Sequence, residues 1–332
     1  MPHRMIFLSV AACLLFSPTT VGLAAPPIDV ERNNSVSIAD ATPAEDRPAF
    51  DTDHIWTETP AGKPVIDRGP AGAWDHYAVD NPTVFTEGET YYCFFEAQDK
   101  PFNKDGHERM GLATSRDGIS WTKFPDNPIL DVGPAGAWDS VVAKLPTVTK
   151  SNGRYYLFYS GRDGRTKQIG VASSTDLKHW SKHPANPVLR SRPNRWDALL
   201  STHPAPIFAR DGSYYLLFRG MNDRFRKQSL GVAVSTDLIH WKRVKDKPVI
   251  GPKEETGSLA VVETETGYIG LSQASGRPYW HSKDLVAWKK VGAARFTGPK
   301  VDTVSNPFHT GEGWTILYEQ QDRIYRAVLS RE

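Results

Sequence analysis

Residues 133–180 read GPAGAWDSVVAKLPTVTKSNGRYYLFYSGRDGRTKQIGVASSTDLKHW, and the parts of this stretch recur in the same order along most of the chain. The GPAGAWD heptapeptide stands at 69–75 and again at 133–139, and a reduced copy survives as Arg195-Trp196-Asp197. Seven residues after each aspartate comes a proline: Pro82, Pro146 and Pro204. Paired aromatics follow a turn at Tyr91-Tyr92, Tyr155-Tyr156 and Tyr214-Tyr215, with weaker copies at Tyr268 and Trp314. A Ser-x-Asp element then closes on Trp121, Trp180, Trp241 and Trp288. Short aromatic strands repeating every 45–65 residues or so indicate a propeller or an array.

Five units can be counted, the first opening at Asp80-Asn81-Pro82 and the last ending near Leu329. In the second, residues 147–150 precede the turn Ser151-Asn152-Gly153, 155–159 form an aromatic strand, and 169–173 alternate into the Ser-x-Asp turn. A Pro-Ile-Leu, Pro-Val-Leu or Pro-Val-Ile segment follows as a fourth strand at 127–130, 186–189 and 247–250. A further copy, Lys63-Pro64-Val65-Ile66, precedes the first unit, while the fifth unit lacks one at its end. The expectation is therefore an all-β, five-bladed β-propeller with four-stranded antiparallel blades. Its ring is closed by an N-terminal strand, which removes the open sheet edges.

Composition bounds the rest. The 332 residues are 39% hydrophobic and 11% aromatic with 26 Gly and 25 Pro, a turn-rich globular chain with almost no helical periodicity. A formal charge of +2 argues against a dedicated nucleic-acid binder. Residues 1–24 read as a signal peptide: Arg4, an apolar run, then Gly22-Leu23-Ala24. The run is too short, and broken too soon by Pro18, for a membrane span. The expectation is export, periplasmic or extracellular, with lipoprotein anchoring at Cys13 the less favoured variant. Cleavage would leave Cys93 alone, a buried core thiol without a disulfide. Residues 25–54, polar and proline-rich, read as a flexible linker, and 55–332 as the propeller domain. No Gly-rich phosphate loop, Cys/His metal spacing or Gly-x-Ser-x-Gly elbow occurs.

The Trp-Asp-x6-Pro opening, the Gly-x-Tyr-Tyr-Leu-Phe-Tyr-Ser-Gly strand and the Ile-Gly-x-Ala-x-Ser-x-Asp-x-x-x-Trp turn resemble the five-bladed β-propeller glycosidases. These are glycoside hydrolase family 43 and its relatives in families 32, 117 and 130. The resemblance implies cleavage of a glycosidic bond in a poly- or oligosaccharide at one mouth of the central channel. It implies no required cofactor. A structural calcium in the channel is a feature of the resembling families, on which spacing is silent here.

In a repeat protein the positions that differ between blades are the functional candidates. At the starts of the first strands these are Asp80, Lys144 and Thr202, then Asn81, Leu145 and His203; at the ends of the second strands they are Glu96, Ser160, Arg219, Ser272 and Glu319. Glycoside hydrolysis uses two carboxyls with pKa values pushed apart. Family 43 places a base Asp before a proline, a tuning Asp, and a Glu acid. Asp80 resembles the base, with Asn81 inserted; His203-Pro204 holds the second position, and Glu255 the Glu position. The acid stays open between Glu255, His203 and Glu96. Substrate contacts are assigned to Asp75, Asp139, Asp197, Trp138, Lys144, Arg162, Arg219 and Glu319. The alternative for the Trp-Asp pairs is structural, with Trp wedged between blades and Asp capping a turn.

Arg162, Arg165 and Lys167, with Arg219, Arg224, Arg226 and Lys227, would make one sector of the mouth positive and suit a carboxylated or sulfated sugar. The loop 97–109, with Phe102 and His107, would form a rim. Tyr279, Trp280 and Phe308 are either stacking platforms or core. The expected activity is a secreted, inverting glycosidase; the alternatives are a non-catalytic glycan-binding propeller and a propeller lyase or transferase using His203 and a Tyr. The partner is a carbohydrate, with no nucleic acid and no membrane span; sequence leaves the oligomeric state open.

Overall fold

The computed structural model describes residues 49–101, 106–164, 166–222, 227–254, 256–298 and 301–331. The expected signal peptide, Cys13 and most of the expected linker lie outside these residues, as do Phe102, Arg165, Arg224, Arg226 and Glu255. The described residues are all-β, with no helix among them and strands paired chiefly antiparallel.

The repeat translates directly into strands. The first unit pairs Ala78–Glu87 with Thr90–Gln98, then Glu108–Ser115, then Thr122–Lys123. The second runs Val142–Ser151, Arg154–Arg162, Lys167–Ser174 and Ser181–Lys182. The third splits its first strand into Leu200–Thr202 and Phe208–Arg210, followed by Ser213–Met221, Gln228–Ser235 and Lys242–Arg243. The fourth has Leu259–Thr264, Gly267–Ser272, Pro278–Ser282 and Trp288–Ala293. The fifth holds Phe308–Thr310, Gly313–Gln320 and Arg323–Ser330, and its fourth strand is Ile55–Glu58 from the other end of the chain.

Two details of the fourth strands differ from expectation. The Pro-Val-Ile segments add a single bridge each, at Leu130, Leu189, Ile250 and Ile66, because a proline supplies no ladder N–H. The paired fourth strand of the first three units is instead the dipeptide just after the Ser-x-Asp tryptophan. Packing also begins before residue 55: Phe50 lies against Trp56, Tyr279 and Trp314, and Trp314 Nε1 donates to the Ala49 carbonyl.

The Ser-x-Asp turn is built identically four times. In the second unit Asp176 Oδ1 accepts the amides of Lys178 and His179, Ser174 Oγ accepts that of Leu177, and Trp180 Nε1 donates to the Leu177 carbonyl. The residue between is left-handed each time, glycine at Gly118 (φ 71°) but Leu177, Leu238 and Leu285 elsewhere, held there because their side chains are buried.

Each of five hydrophobic clusters draws on two units. Phe94, Met110 and Leu112 pack on Leu157 and Tyr159; Phe158 and Val171 on Leu216 and Phe218; Leu217 and Leu230 on Leu259 and Val261. Ala260 and Leu271 meet Ile316 and Tyr318, and Leu317 and Ile324 meet Val79 and Phe95 of the first unit. Asn306 ties this last junction: its Oδ1 accepts from Thr83 Oγ1 (2.9 Å) and the Val84 amide (3.1 Å), and its Nδ2 donates to the Val84 carbonyl (3.0 Å). Cys93 is a free, buried thiol whose pKa burial pushes up. Tyr279, Trp280 and Phe308 are core residues, not platforms.

Candidate active site

Residues in or just before the first strands, or between the two halves of the third unit's, line one cavity of about 50 Å³, with Asn81, Leu145, His203, Ser258 and Asn306 among its walls. What aims the side chains into it is a bulge in the first strands. In the first unit Asp80 faces Glu96, then the ladder resumes at Thr83 facing Phe94, so Asn81 and Pro82 together oppose Phe95. The second unit repeats this, Lys144 facing Ser160 and Thr147 facing Phe158. The residue before the shared proline is left-handed in all three units: Asn81 at φ 45°, Leu145 at 57° and His203 at 51°. Asn tolerates that conformation; for Leu and His it costs of the order of 1–2 kcal/mol each, which surrounding packing must offset.

Asp80, Glu96, Lys144 and Glu108 form one connected group. Asn81 Nδ2 donates to both Asp80 Oδ1 (3.2 Å) and Glu96 Oε2 (3.1 Å). Lys144 Nζ donates to Glu96 Oε1 (3.2 Å) and Glu108 Oε1 (2.9 Å), and Gln98 Nε2 reaches the same Glu108 oxygen at 3.4 Å. The Glu96 side chain is only 1% exposed, whereas Asp80 is half-buried and precedes Asn81, which lines the cavity. Burial pushes the Asp80 carboxyl up to about 7 against the opposing Lys144 charge, with Glu319 and Glu108 adding to the rise. Burial and the neighbouring Asp80 push Glu96 well above the usual carboxylate range, with Lys144 opposing the rise. For Lys144 burial works against the ammonium, but Glu96, Glu108 and Asp80 together raise it above the ordinary lysine value.

From the fifth unit Glu319 joins this field. It accepts from Thr303 Oγ1 at 3.2 Å, and burial with the nearby Asp302 raises it to about 7. The other side is cationic. Arg219 sits across from Thr202, Lys167 across from Arg162, and His203 on the adjoining bulge. Burial, then Lys144 and Arg219, lower Lys167 to about 8; burial lowers Arg219 to about 10. His203 is held well below the usual imidazole range by burial and by Arg219, Lys167 and Lys144, so it is neutral. Among the described residues, Arg219 Nε and His203 Nδ1 are enclosed and have no hydrogen-bond partner. Asp80, Glu96, Lys144, Arg219, Glu319 and His203 thus belong to one electrostatic neighbourhood, and Arg162 flanks it.

Asp75, Asp139, Asp197 and Trp138 do not join them. Asp75 is paired with Lys123 (2.5 Å), Asp139 with Lys182 (2.6 Å) and Tyr159 Oη, and Asp197 with Arg192 and Arg243. Each carboxylate is buried and neutralised by a cation from the fourth strand, far out on its unit. The signal was present in the sequence as Trp121-x-Lys123, Trp180-x-Lys182 and Trp241-x-Arg243. Trp138 lies flat on Gly161 and Gly170 with its ring 5.5 Å from that of Tyr159, so it is packing. Sequence alignment of the units was also one residue out in the fourth. There the ladder begins with Thr264 facing Gly267, and six residues on, where the first unit has Glu96 after Thr90, stands Gln273 and not Ser272. Gln273 lines the cavity, and Ser272 turns inward to the Thr256 carbonyl. Glu108 was missed because its partner Lys144 comes from the next unit through a single parallel bridge, Glu108 with Val142. Among the described residues no group of three or more His, Cys, Asp or Glu side chains is placed to hold a metal ion.

Comparison with known proteins bears on this geometry. Residues 75–268 match the glycoside hydrolase family 130 model, described as beta-1,4-mannooligosaccharide phosphorylase. The chain is similar to a beta-1,2-mannobiose phosphorylase of Thermoanaerobacter sp. (strain X514), 32% identical over 49% of this chain and 54% of the relative. It is also similar to a 1,2-beta-oligomannan phosphorylase of the same organism, 28% identical over 60% of this chain and 63% of the relative. The matched region spans little more than half the length of these curated relatives. Among solved structures, one reported with the family 130 mannoside phosphorylases and glycoside hydrolases that target beta-1,2 mannosidic linkages in Candida mannan superposes with a TM-score of 0.63. It is 18% identical, covering 85% of this chain and 95% of that one, which shows a shared fold. The match falls on one of the families the sequence resembled and does not single out family 43.

Proposed function

The chain belongs to glycoside hydrolase family 130, and from that premise we propose that it cleaves a β-mannosidic bond by phosphorolysis, with Asp80 as the proton donor. The observation that carries this is a half-buried carboxyl raised to about 7, next to the cavity-lining Asn81, in one electrostatic neighbourhood with the cations Arg219 and Lys167 and with the cavity-lining His203, whose Nδ1, like Arg219 Nε, is enclosed without a partner. A carboxyl near 7 is protonated in a useful fraction at neutral pH and can protonate a leaving oxygen. Arg219, His203 and Lys167 offer fork-like and point donors that suit a phosphate.

In the reaction proposed, Asp80 gives its proton to the glycosidic oxygen as the bond from that oxygen to the anomeric carbon breaks. A phosphate oxygen bonds to the same carbon from the opposite face, which inverts it. The products are a glycosyl phosphate and a shortened saccharide, and Asp80 is reprotonated from solvent. The phosphorylase names of the relatives agree with this reading.

A second reading rests on Glu319, a carboxyl also raised to about 7 whose charge is felt at Asp80. With Glu319 activating a water, the same site would hydrolyse its substrate. The two are separated by incubating the protein with β-1,2- and β-1,4-mannobiose with and without inorganic phosphate. Phosphorolysis gives mannose 1-phosphate and no reaction without phosphate; release of free mannose regardless of phosphate would establish hydrolysis. Cleavage of neither sugar under either condition would end the mannoside assignment.

We further read the five units as blades of a closed ring. The support is the chain of five two-unit clusters, the Asn306 bonds to Val84, and the antiparallel pairing of Ile55–Glu58 with Arg323–Ser330.

A further inference from the structure

The Asp80–Glu96 pair has four carboxyl oxygens, and three already accept a hydrogen bond. Asp80 Oδ1 and Glu96 Oε2 share the Asn81 amide, and Glu96 Oε1 takes the Lys144 ammonium. Among the described residues none donates to Asp80 Oδ2. The orientation of the amide is fixed by its surroundings, since its oxygen turned toward two carboxyl acceptors would be repelled by both. An ammonium and an amide on its two oxygens favour the ionised form of Glu96, and a proton on either would replace an acceptor with a weaker one. Lys144 is in turn anchored from behind by Glu108, itself contacted by Gln98.

We propose that Asn81 and Lys144 are positioning residues that place the shared proton of the pair on Asp80 Oδ2 and hold Glu96 as the carboxylate. The inference deepens the reading of Asp80 as proton donor and rests on it for its catalytic meaning, though the placement itself follows from the hydrogen bonds alone. The bulge makes it work. Its left-handed residue turns the Asn81 side chain between two cross-strand carboxyls, and Asn is one of the few side chains that accept φ 45°. The second and third units carry Leu145 and His203 at this place, neither of which offers an amide to bridge two carboxyls. The charges facing the pair come from three units: Glu108 from the first, Lys144 and more distantly Lys167 from the second, and Glu319 from the fifth. Burial raises both carboxyls, Glu96 well above its ordinary range, so the pair retains a proton, and the donors on Glu96, Asn81 Nδ2 and Lys144 Nζ, decide which carboxyl carries it.

The test is a carbon-13 NMR titration of the side-chain carboxyl carbons in the full chain, without substrate, from about pH 4 to about pH 9. Asp80→Asn and Glu96→Gln assign the two signals. The expected result is an Asp80 signal that moves near neutrality while Glu96 keeps the chemical shift of a carboxylate through that first step. A Glu96 signal moving near neutrality with Asp80 ionised throughout would overturn the placement. In Asn81→Gly, which keeps the left-handed backbone and removes the donor, Glu96 should take up part of the titration. If the protein proves active, kcat of that variant should fall about tenfold with KM nearly unchanged, the signature of an interaction made in the transition state. An unchanged titration in Asn81→Gly would remove Asn81 from the proposal. Because the titration needs no turnover, a protein that cleaves no mannoside but titrates as stated would refute only the activity.

Discussion

Replacing Asp80 with asparagine should stop catalysis and stabilise the protein, and the stabilisation should depend on pH in a defined direction. The Asp80 carboxyl is raised from 3.8 to about 7 by burial and by Glu319 and Glu108, less what Lys144 gives back. A carboxyl whose folded-state pKa is raised contributes stability that is complete below its unfolded value and lost as pH climbs through the folded one. The window is therefore about pH 4 to about pH 7. Each tenfold change in proton affinity is worth about 1.4 kcal/mol, so the full rise corresponds to an upper bound of about 4 kcal/mol. Sharing of the proton with Glu96 and access to solvent reduce this to about 1–3 kcal/mol. Asn is nearly isosteric with the protonated acid and keeps the acceptor for Asn81. The variant should match wild type near pH 4 and exceed it at about pH 8 by roughly 2–6 °C in Tm, read by thermal unfolding at both pH values. Turnover of the mannoside should fall by a factor of about 100–10,000. Equal Tm differences at the two pH values, or a variant less stable at the higher one, would refute the claim that Asp80 is a carboxyl held up by its surroundings.

Other consequences follow from the same contacts. Asn306→Ala removes three hydrogen bonds joining the fifth unit to the first; a loss of about 2–4 kcal/mol is expected in urea unfolding, and a loss below about 0.5 kcal/mol would show that this junction is not held there. A methyl group at Gly170 would stand 2.6 Å from the Trp138 ring, so Gly170→Ala should cost about 1–3 kcal/mol or more without altering the carboxyl titrations. Lys167, lowered to about 8, should lose its charge in mildly alkaline solution; the KM for phosphate should then rise above about pH 8, and Lys167→Arg should flatten that rise. A phosphate KM with no such dependence in wild type would place Lys167 outside the anion site.

The repeat made the strands legible and left the chemistry half hidden, for identifiable reasons. Strand grouping followed from recurrences such as Ser174-x-Asp176 and Tyr155-Tyr156, because the same turn and the same core are built several times over. The closing strand was placed at residues 63–66, but prolines there permit one bridge, and the four paired residues are Ile55–Glu58. Asp80, His203, Arg219 and Glu319, which share one electrostatic neighbourhood, stood out because they break the repeat, a reasoning that needs no geometry. The same reasoning gives Asp75, Asp139 and Asp197 a structural role, and the substrate contacts assigned to them went against it: they obey the repeat and are bound by cations that also obey it. Glu96 was recognised as close to the site, but its burial beside Asp80 depends on cross-strand register and on a lysine from the next unit. Gln273 rather than Ser272 matches Glu96 because it stands six residues after the hairpin residue Gly267, as Glu96 does after Thr90, a count that needs the hairpin pairing to be known.

The central claim is that Asp80 gives a proton to the leaving oxygen. It is tested most directly by comparing Asp80→Asn with wild type on two substrates, β-mannobiose and an aryl β-mannoside whose phenolate departs without help. The account predicts a loss of about 100-fold or more on the disaccharide and a much smaller one on the aryl glycoside. Equal losses on both, or no loss on the disaccharide, would contradict it.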